Sequence, residues 1–353
     1  MTAAAPSHAP PELLERTREL SILERCLEAV AATGQGRAVV VAGEAGVGKT
    51  SLTRRFCNLH APSVDVLSGS CDALFAPRSL GPLLDIADAV GGGLAAAVRE
   101  GADLHTVAGA LIDELRARSP ALVVFEDVHW ADEATLDVVR LLIRKADGVP
   151  ALVVVTFRDD ELERTHPLRR VFGELATNRS VTRLTLAPLS PDAVAALAQP
   201  HGVDATELYR KTGGNPFFVV EALASGAESI PVTVRDAVLA RAARLSSTAN
   251  AVLEAVALVP PQAELWLLEA LVGSLDGLEE CLASGMLRSE PAGIVFRHEL
   301  ARLAVEETVA PNRALELHRG ALAALAERRQ GSPDLARLAH HAAAAGDTDA
   351  VLE

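Results

Sequence analysis

Apolar and polar residues follow two different periods along the first half of the chain, and the two periods together outline a fold. Five short runs are largely apolar and rich in β-branched residues: Arg37-Ala-Val-Val-Val-Ala42, Val64-Asp-Val-Leu-Ser68, Ala121-Leu-Val-Val-Phe125, Ala151-Leu-Val-Val-Val-Thr156 and Val181-Thr-Arg-Leu-Thr-Leu186. Each has the length and composition of a strand in a covered sheet. Between them, apolar residues recur every three or four positions. Leu14, Leu20, Leu23, Leu27 and Val30 mark one face of a helix over 11–32. Further helices are predicted over about 82–90, 103–118, 135–145 and 168–177. Strands alternating with helices imply an α/β fold, a mainly parallel sheet covered on both faces.

The pattern changes after about residue 187. Ser190 is placed to cap a helix and Pro191 fits its first turn. Short helices are expected from there to about 224. A second change comes at Ile230-Pro231. Residues 232–309 read as helices around one weak strand pair, with turns at Gly285 and Pro291-Ala-Gly293 and a short run Ile294-Val-Phe296. That combination predicts a winged-helix module. Residues 312–353 alternate helices with breaks at Gln330-Gly-Ser-Pro333 and Gly346-Asp, like the opening of a helical-repeat array. Repeat units need neighbours to bury their faces, so a longer parent protein is expected.

One segment carries a specific chemistry. Gly43-Glu44-Ala45-Gly46-Val47-Gly48-Lys49-Thr50 completes the G-x-x-x-x-G-K-[ST] phosphate-binding pattern, directly after the first strand and before the helical Ser51-Leu-Thr-Arg-Arg-Phe-Cys-Asn-Leu59. Glycines let the backbone wrap closely round phosphate oxygens. The amides of the wrap and of the helix start, Ser51 included, face an anion. Lys49 is expected between the β- and γ-phosphates, and Thr50 offers its hydroxyl to Mg²⁺. The expected organisation is a disordered tail (1–12), a P-loop nucleotide-binding domain (13–187), a small helical domain (188–229), a winged-helix domain (230–311) and the start of a repeat region (312–353).

Other constellations are read beside that loop. The strand ending Phe125-Glu126-Asp127 supplies two carboxylates, one to hold Mg²⁺ and one to orient a water. The usual order gives the metal to Glu126 and the water to Asp127, while the shorter Asp127 is also suited to the metal. Arg158, after the fourth strand, either reaches a γ-phosphate or pairs with Asp159 or Asp160. His129 and Trp130 read as packing groups, and Asp132 as a helix cap. Gly213-Gly-Asn-Pro216-Phe-Phe218 is a turn into an apolar helix, with Pro216 either a base-facing residue or a plain helix start. His298, taken alone, reads as a structural or surface histidine.

Composition narrows the class. Hydrophobic residues make up 49% and charged residues 23% of the 353, while aromatics are only 3%, so the core must rest on Leu, Val and Ala. A net charge of −14 argues against broad, phosphate-driven nucleic-acid binding by this segment. The four scattered cysteines fit free thiols in a reducing cytosol. No uncharged apolar stretch reaches a membrane span, and no signal peptide is recognisable, so a cytoplasmic location without a membrane partner is expected.

Taken together, the motifs resemble the STAND class of signal-transducing P-loop ATPases, and more closely the ATPase region of large ATP-binding LuxR-type transcriptional regulators. The resemblance is carried by Leu13-Leu-Glu-Arg16-Thr-Arg-Glu-Leu20, the loop 43–50, Phe125-Glu-Asp-Val-His-Trp-Ala-Asp132, Thr156-Phe-Arg-Asp-Asp-Glu161, Gly214-Asn-Pro-Phe-Phe218 and Phe296-Arg-His-Glu-Leu300. It implies an AAA/STAND-like five-stranded parallel sheet followed by helical and winged-helix domains. It implies that Arg16 lies near the nucleotide, although the family usually has Gly where this chain has Glu15. It also implies that Arg158 is a sensor arginine, that Pro216 packs on adenine and that His298 touches the β-phosphate of ADP. The function implied is a regulatory switch with slow hydrolysis. ADP, bridging sheet domain and winged helix, would hold it closed; ATP–Mg²⁺ and an unknown inducer would favour an open, self-associating state, with DNA bound only through a C-terminal domain outside this segment. The alternatives are an AAA-type ATPase that turns over ATP for remodelling and an AAA-type DNA initiator; fusion to cyclase or kinase domains is a further context.

Overall fold

The computed structural model describes residues 13–72, 79–162, 165–175, 178–226, 230–327 and 335–346. The tail expected over 1–12, the break expected at 330–333 and residues 347–353 lie outside the described residues. The chain divides into two compact units, Met1–Leu189 and Ser190–Glu353.

The first unit runs α1 (Thr17–Thr33), β1 (Arg37–Ala42), α2 (Lys49–His60), β2 (Asp65–Ser70), α3 (Gly81–Val90), α4 (Gly92–Arg99), α5 (Leu104–Ala117), β3 (Ala121–Glu126), α6 (Glu133–Arg144), β4 (Ala151–Phe157), α7 (Pro167–Glu174) and β5 (Val181–Thr185). Its five strands are all parallel, in the order β2-β3-β4-β1-β5. The period of two along each strand explains the layers. Val39, Val41, Leu122, Val124, Leu152 and Val154 face one side and bury against Leu23, Leu27, Leu52 and Phe56 of α1 and α2. Ala38, Val40, Val123, Phe125, Val153 and Val155 face the other, against Leu83, Ile86, Leu111, Val139 and Leu142 of α3, α5 and α6. Each such Val, Leu, Ile or Phe side chain contributes roughly 1.5–3 kcal/mol of burial. With so few aromatics, this doubly covered Val/Leu sheet is the core that the composition required.

Two elements depart from the pattern. The first helix starts at Thr17, later than the apolar face alone predicts, because Glu15 takes a left-handed backbone conformation (φ 55°) that ends any helix entering from its N-terminal side. Helix α4 was not expected at all. Its Gly91-Gly92-Gly93 start reads as a breaker, yet Leu94, Ala95 and Val98 are buried and hold the turn in place.

Among its described residues the second unit is helical apart from one hairpin: α8 (Pro191–Ala198), α9 (Ala205–Thr212), α10 (Pro216–Ala224), α11 (Val232–Ala242), α12 (Ser247–Leu258), α13 (Leu265–Val272), α14 (Leu278–Ala283), β6 (Leu287–Glu290), β7 (Gly293–Phe296), α15 (Glu299–Glu306), α16 (Pro311–Glu327) and α17 (Leu335–Ala345). Ser190 Oγ accepts from Ala193 N (3.2 Å) and caps α8. Strands β6 and β7 are antiparallel, and Ile294 of β7 also exchanges both backbone hydrogen bonds with Ala263 (2.8 and 2.9 Å). Gly293 makes that approach possible, since a Cβ there would lie 2.7 Å from the Ala263 carbonyl oxygen. Among the described residues no helix is long and apolar enough to cross a membrane. The cysteines are unpaired, and burial pushes the Cys71 and Cys281 thiols up to about 12, so both stay protonated.

Candidate functional site

The strand register brings three chain ends level. Ala42 of β1 pairs with Phe157 of β4, and Phe125 of β3 with Val155 of β4. The loop after β1, the acids ending β3 and the arginine following β4 therefore emerge at the same carboxyl edge of the sheet, where α/β folds place phosphate ligands.

The loop has the backbone that the glycines promise. Gly43, Gly46 and Gly48 all have positive φ (155°, 80° and 101°). A Cβ on Gly43 would meet Val47 Cγ1 at 2.8 Å and the Leu186 carbonyl oxygen at 3.2 Å. The turn is closed by Val47 N donating to the Glu44 carbonyl (3.3 Å), with Ala45 between them. Helix α2 begins at Lys49, so its unpaired amides and positive end face the loop. Ser51 lies exposed in its first turn. Lys49 is 6% exposed, and its ammonium donates to the carbonyls of Gly43 (2.7 Å) and Glu44 (2.9 Å). Burial lowers its pKa, with the Asp127 carboxylate pulling the other way. A buried cation held mainly by carbonyl dipoles is short of negative charge, and a polyphosphate supplies it. Among the residues present, then, cradle and cation both fit an anionic ligand.

Glu126 is bound by two hydroxyls of α2. Thr50 Oγ1 donates to Oε2 (3.1 Å), and Thr53 Oγ1 lies 2.9 Å from Oε1. Thr50 and Thr53 sit three residues apart, hence on one helix face. A hydroxyl and a carboxylate side by side form a hard oxygen set suited to Mg²⁺. Asp127 has a left-handed backbone (φ 54°), and its amide donates to Thr156 Oγ1 (3.0 Å). This turn separates the two acids: Glu126 faces α2, while Asp127 Oδ1 lies 3.8 Å from His129 Nδ1.

Arg158 Nη1 donates to Glu161 Oε1 (2.7 Å). Burial disfavours its charge, but Glu161, with Asp127 and Asp160, outweighs burial and the net shift raises its pKa. His129 is buried beneath this pair. Its Nδ1 accepts from Arg158 N (3.4 Å), which leaves the ring proton on Nε2, 3.5 Å from Glu161 Oε2. Asp132 accepts from Thr135 N (3.3 Å) and caps α6, and it also takes Ser79 Oγ (3.1 Å). Arg16 is 5% exposed and ties the site to its scaffold, donating to the carbonyls of Val47 (3.1 Å), Ala187 (2.7 Å) and Glu15 (3.1 Å).

One edge of the sheet thus gathers Arg16, Gly43 to Ser51, Glu126, Asp127 and Arg158. Pro216 and His298 belong to the second unit, where their two motifs meet each other. Pro216 opens α10 behind an Asn215 cap, the Asn215 Oδ1 accepting from Phe217 N (3.1 Å). The His298 ring packs edge-on against Phe218 with centroids 4.8 Å apart, and its Nδ1 lies 3.1 Å from where a Cβ on Gly213 would be. Three contributors escape a sequence reading: Thr53, which passes for an ordinary helical threonine; Glu161, which ends a motif noted only for its arginine; and His129, whose contacts exist only once β3 and β4 lie side by side.

Comparison with known proteins agrees with this geometry. Residues 12–155 match the family described as AAA ATPase domain. An uncharacterized protein of Rhizobium meliloti (strain 1021) is 27% identical over 95% of this chain, and the chain spans only 39% of that relative's length. The ORC2 protein of Aeropyrum pernix, solved as ADPNP-ADP complexes, shares the fold at a TM-score of 0.54 and 15% identity, covering 92% of this chain and 98% of its own. A Signal Transduction ATPase with Numerous Domains (STAND) protein with a tetratricopeptide repeat sensor, from Pyrococcus horikoshii, aligns at a TM-score of 0.39 and 17% identity over 97% of this chain and 50% of its own. Residues 12–155 of the first unit are accordingly similar to AAA-type P-loop ATPase domains.

Proposed function

We propose that this chain is the ATP/ADP-binding switch of a LuxR-type transcriptional regulator of the STAND class. In this reading ADP holds a closed state, and ATP with Mg²⁺ favours an open, self-associating one. An inducer adds to that bias, and DNA is reached through another part of a longer protein. A winged-helix domain over 230–311 and helical repeats from 312 belong to the same reading.

The observation that carries it is the Arg158–Glu161 pair. The cation positioned to read a γ-phosphate is held by an internal carboxylate at 2.7 Å. A γ-phosphate must win Arg158 from Glu161, whereas ADP presents no such competitor. That difference between two nucleotides is what a switch requires, because a ligand shifts an equilibrium only by its differential affinity for the two states.

The remaining roles belong to the same proposal. The Lys49 ammonium, released from the Gly43 and Glu44 carbonyls, pairs with β- and γ-oxygens. Thr50 Oγ1 and the Glu126 carboxylate would hold Mg²⁺, which would supply charge neutralisation on the phosphates. Glu126, already tied to α2, takes the metal role, which leaves the Asp127 carboxylate to accept a proton from an attacking water. Arg16 fixes the loop from behind. Pro216 serves adenine, and His298 the β-phosphate of ADP.

The test is the nucleotide carried through purification, together with the association state measured by light scattering in ADP and in ATP–Mg²⁺. Co-purified ADP, a monomer in ADP and assembly in ATP support the switch. Fast steady-state phosphate release without a partner, and one association state in both nucleotides, would replace it with the reading of an AAA-type ATPase that turns over ATP for remodelling or as a DNA initiator.

A further inference from the structure

Far along the chain from the nucleotide loop, three histidines converge. His318 lies on α16, and His340 and His341 lie on α17. The three rings are mutual neighbours, with centroids 5.6, 5.2 and 5.0 Å apart, and one donor atom from each falls within 4.8 Å of the others. His318 and His341 are buried (7% and 0% exposed), and His340 opens to solvent.

Hydrogen bonding alone serves this cluster poorly. His318 Nδ1 and His341 Nδ1 stand 2.9 Å apart, so the contact needs one ring to carry its proton on Nδ1 and the other to accept. The other nitrogen of His341, Nε2, is buried with no hydrogen-bond partner among the described residues. A fully buried imidazole satisfied at one nitrogen only is costly as a packing device. Two protonated rings cannot share the space either. Burial, aided by His318, His340 and Arg337, pushes His341 down to about 4, and burial beside His340 lowers His318. A neutral imidazole lone pair is the form that binds metal. Arg337, the cation acting on His341, is engaged by the Glu264 carboxylate (2.8 and 2.9 Å). Glu306 is the charged group on the His318 side that favours positive charge.

We propose that His318, His340 and His341 form a binding site for a divalent transition ion of the zinc class, which clips α16 to α17. Two nitrogens on a tetrahedral zinc, each at about 2.0–2.1 Å, stand roughly 3.4 Å apart. A modest opening of the 2.9 Å contact thus admits the ion, and the one Nδ1 that carried the shared proton binds as its other tautomer, with that proton on its own Nε2. Three imidazoles leave a fourth position for water on the open side marked by His340. Imidazole ligands select Zn²⁺, Cu²⁺, Ni²⁺ or Co²⁺ over Mg²⁺ and Ca²⁺, which prefer oxygen. The site is independent of the switch reading, since none of its residues takes part in nucleotide chemistry.

The experiment uses the full chain without an affinity tag, stripped by a chelator and titrated with Zn²⁺ by calorimetry, with Co²⁺ as the spectroscopic substitute. One equivalent is expected, along with visible ligand-field bands for Co²⁺, a rise in melting temperature with Zn²⁺, and no competition from excess Mg²⁺. His340→Ala changes an exposed side chain, so the fold is retained. It should weaken Zn²⁺ binding at least tenfold and remove the thermal shift. His341→Ala and His318→Ala should abolish binding. Absence of Zn²⁺ binding to the native chain, or undiminished binding and thermal shift in His340→Ala, would overturn the site, whether or not the two buried variants fold.

Discussion

Arg158 and His129 both answer to one carboxylate. Glu161 takes the guanidinium with one oxygen at 2.7 Å and faces the imidazole with the other at 3.5 Å. Glu161 is itself only 12% exposed at its side chain, so the pair is more strongly coupled than a surface ion pair. Removing the charge with Glu161→Gln frees Arg158 for a γ-phosphate while leaving an amide of the same size. The expected outcome is a preference for ATP over ADP that rises about 3–10-fold, or about 1 kcal/mol. Calorimetry with ADP and a non-hydrolysable ATP analogue reads it directly. An unchanged ratio means that Glu161 does not compete with phosphate.

Much of this arrangement was legible in the chain, and the reason is periodicity. The five strands lie within two residues of where the apolar runs put them; the central β1, β3 and β4 are buried on both faces and have no polar positions to blur their ends, while the edge strands β2 and β5 are partly exposed. The loop was legible because its residue types are dictated by backbone conformation. Pairings across the sheet were not. Nothing local says that Glu126 turns to α2 while Asp127 turns away; the left-handed backbone of Asp127 decides it, and the residue type does not announce that conformation. Glu15 is a similar case. A glycine would adopt φ 55° freely, and this chain places a glutamate there, held by its neighbour Arg16. The contact of His318 with His341 spans 23 residues and two helices, and helical periodicity carries no information across such a break.

Lys49 makes a prediction with a sign. Burial depresses its pKa in the folded chain, so the unfolded chain binds that proton more tightly. The destabilisation is full below the folded pKa and disappears as pH rises towards the ordinary lysine value of about 10.4. Lys49→Met should therefore be more stable than the native chain without nucleotide at pH 7, with a gap that narrows on approach to pH 10. The same substitution should lower ATP affinity on the order of 100-fold or more, since a charge-assisted contact to phosphate is lost. Denaturant midpoints over the pH range and calorimetry check the two halves. Retained nucleotide affinity would reject the loop as the phosphate site.

Thr53 is proposed to hold Glu126 in place from the second turn of α2, at 2.9 Å from Oε1. It is buried, with no place in the loop motif. Thr53→Val keeps the shape and removes the hydroxyl, at a cost of about 1 kcal/mol in carboxylate positioning. The Mg²⁺ concentration supporting half-maximal ATP binding should rise about 5-fold, while ADP binding without Mg²⁺ stays as it was. A uniform loss for both nucleotides would mark Thr53 as a packing residue of α2.

The His298 ring stands on Phe218 and against Gly213, in the second unit. Two roles separate here. If His298 only braces these motifs, then His298→Ala loosens α10 and both nucleotides lose affinity alike. If its imidazole serves the β-phosphate of ADP in the closed state, ADP loses more than ATP, because the open state does not use the contact. A hydrogen bond to a charged partner is worth about 1.5–3 kcal/mol, so ADP should weaken by roughly 10–100-fold and ATP by far less. Gly213→Ala offers an independent check. Its methyl would press on the imidazole at 3.1 Å and strain a left-handed turn (φ 60°), displacing the ring without deleting it. Under the ADP-lock reading it shifts the ADP/ATP ratio in the same direction as His298→Ala, whereas equal losses in both variants leave His298 a packing residue and remove the ADP lock from the scheme.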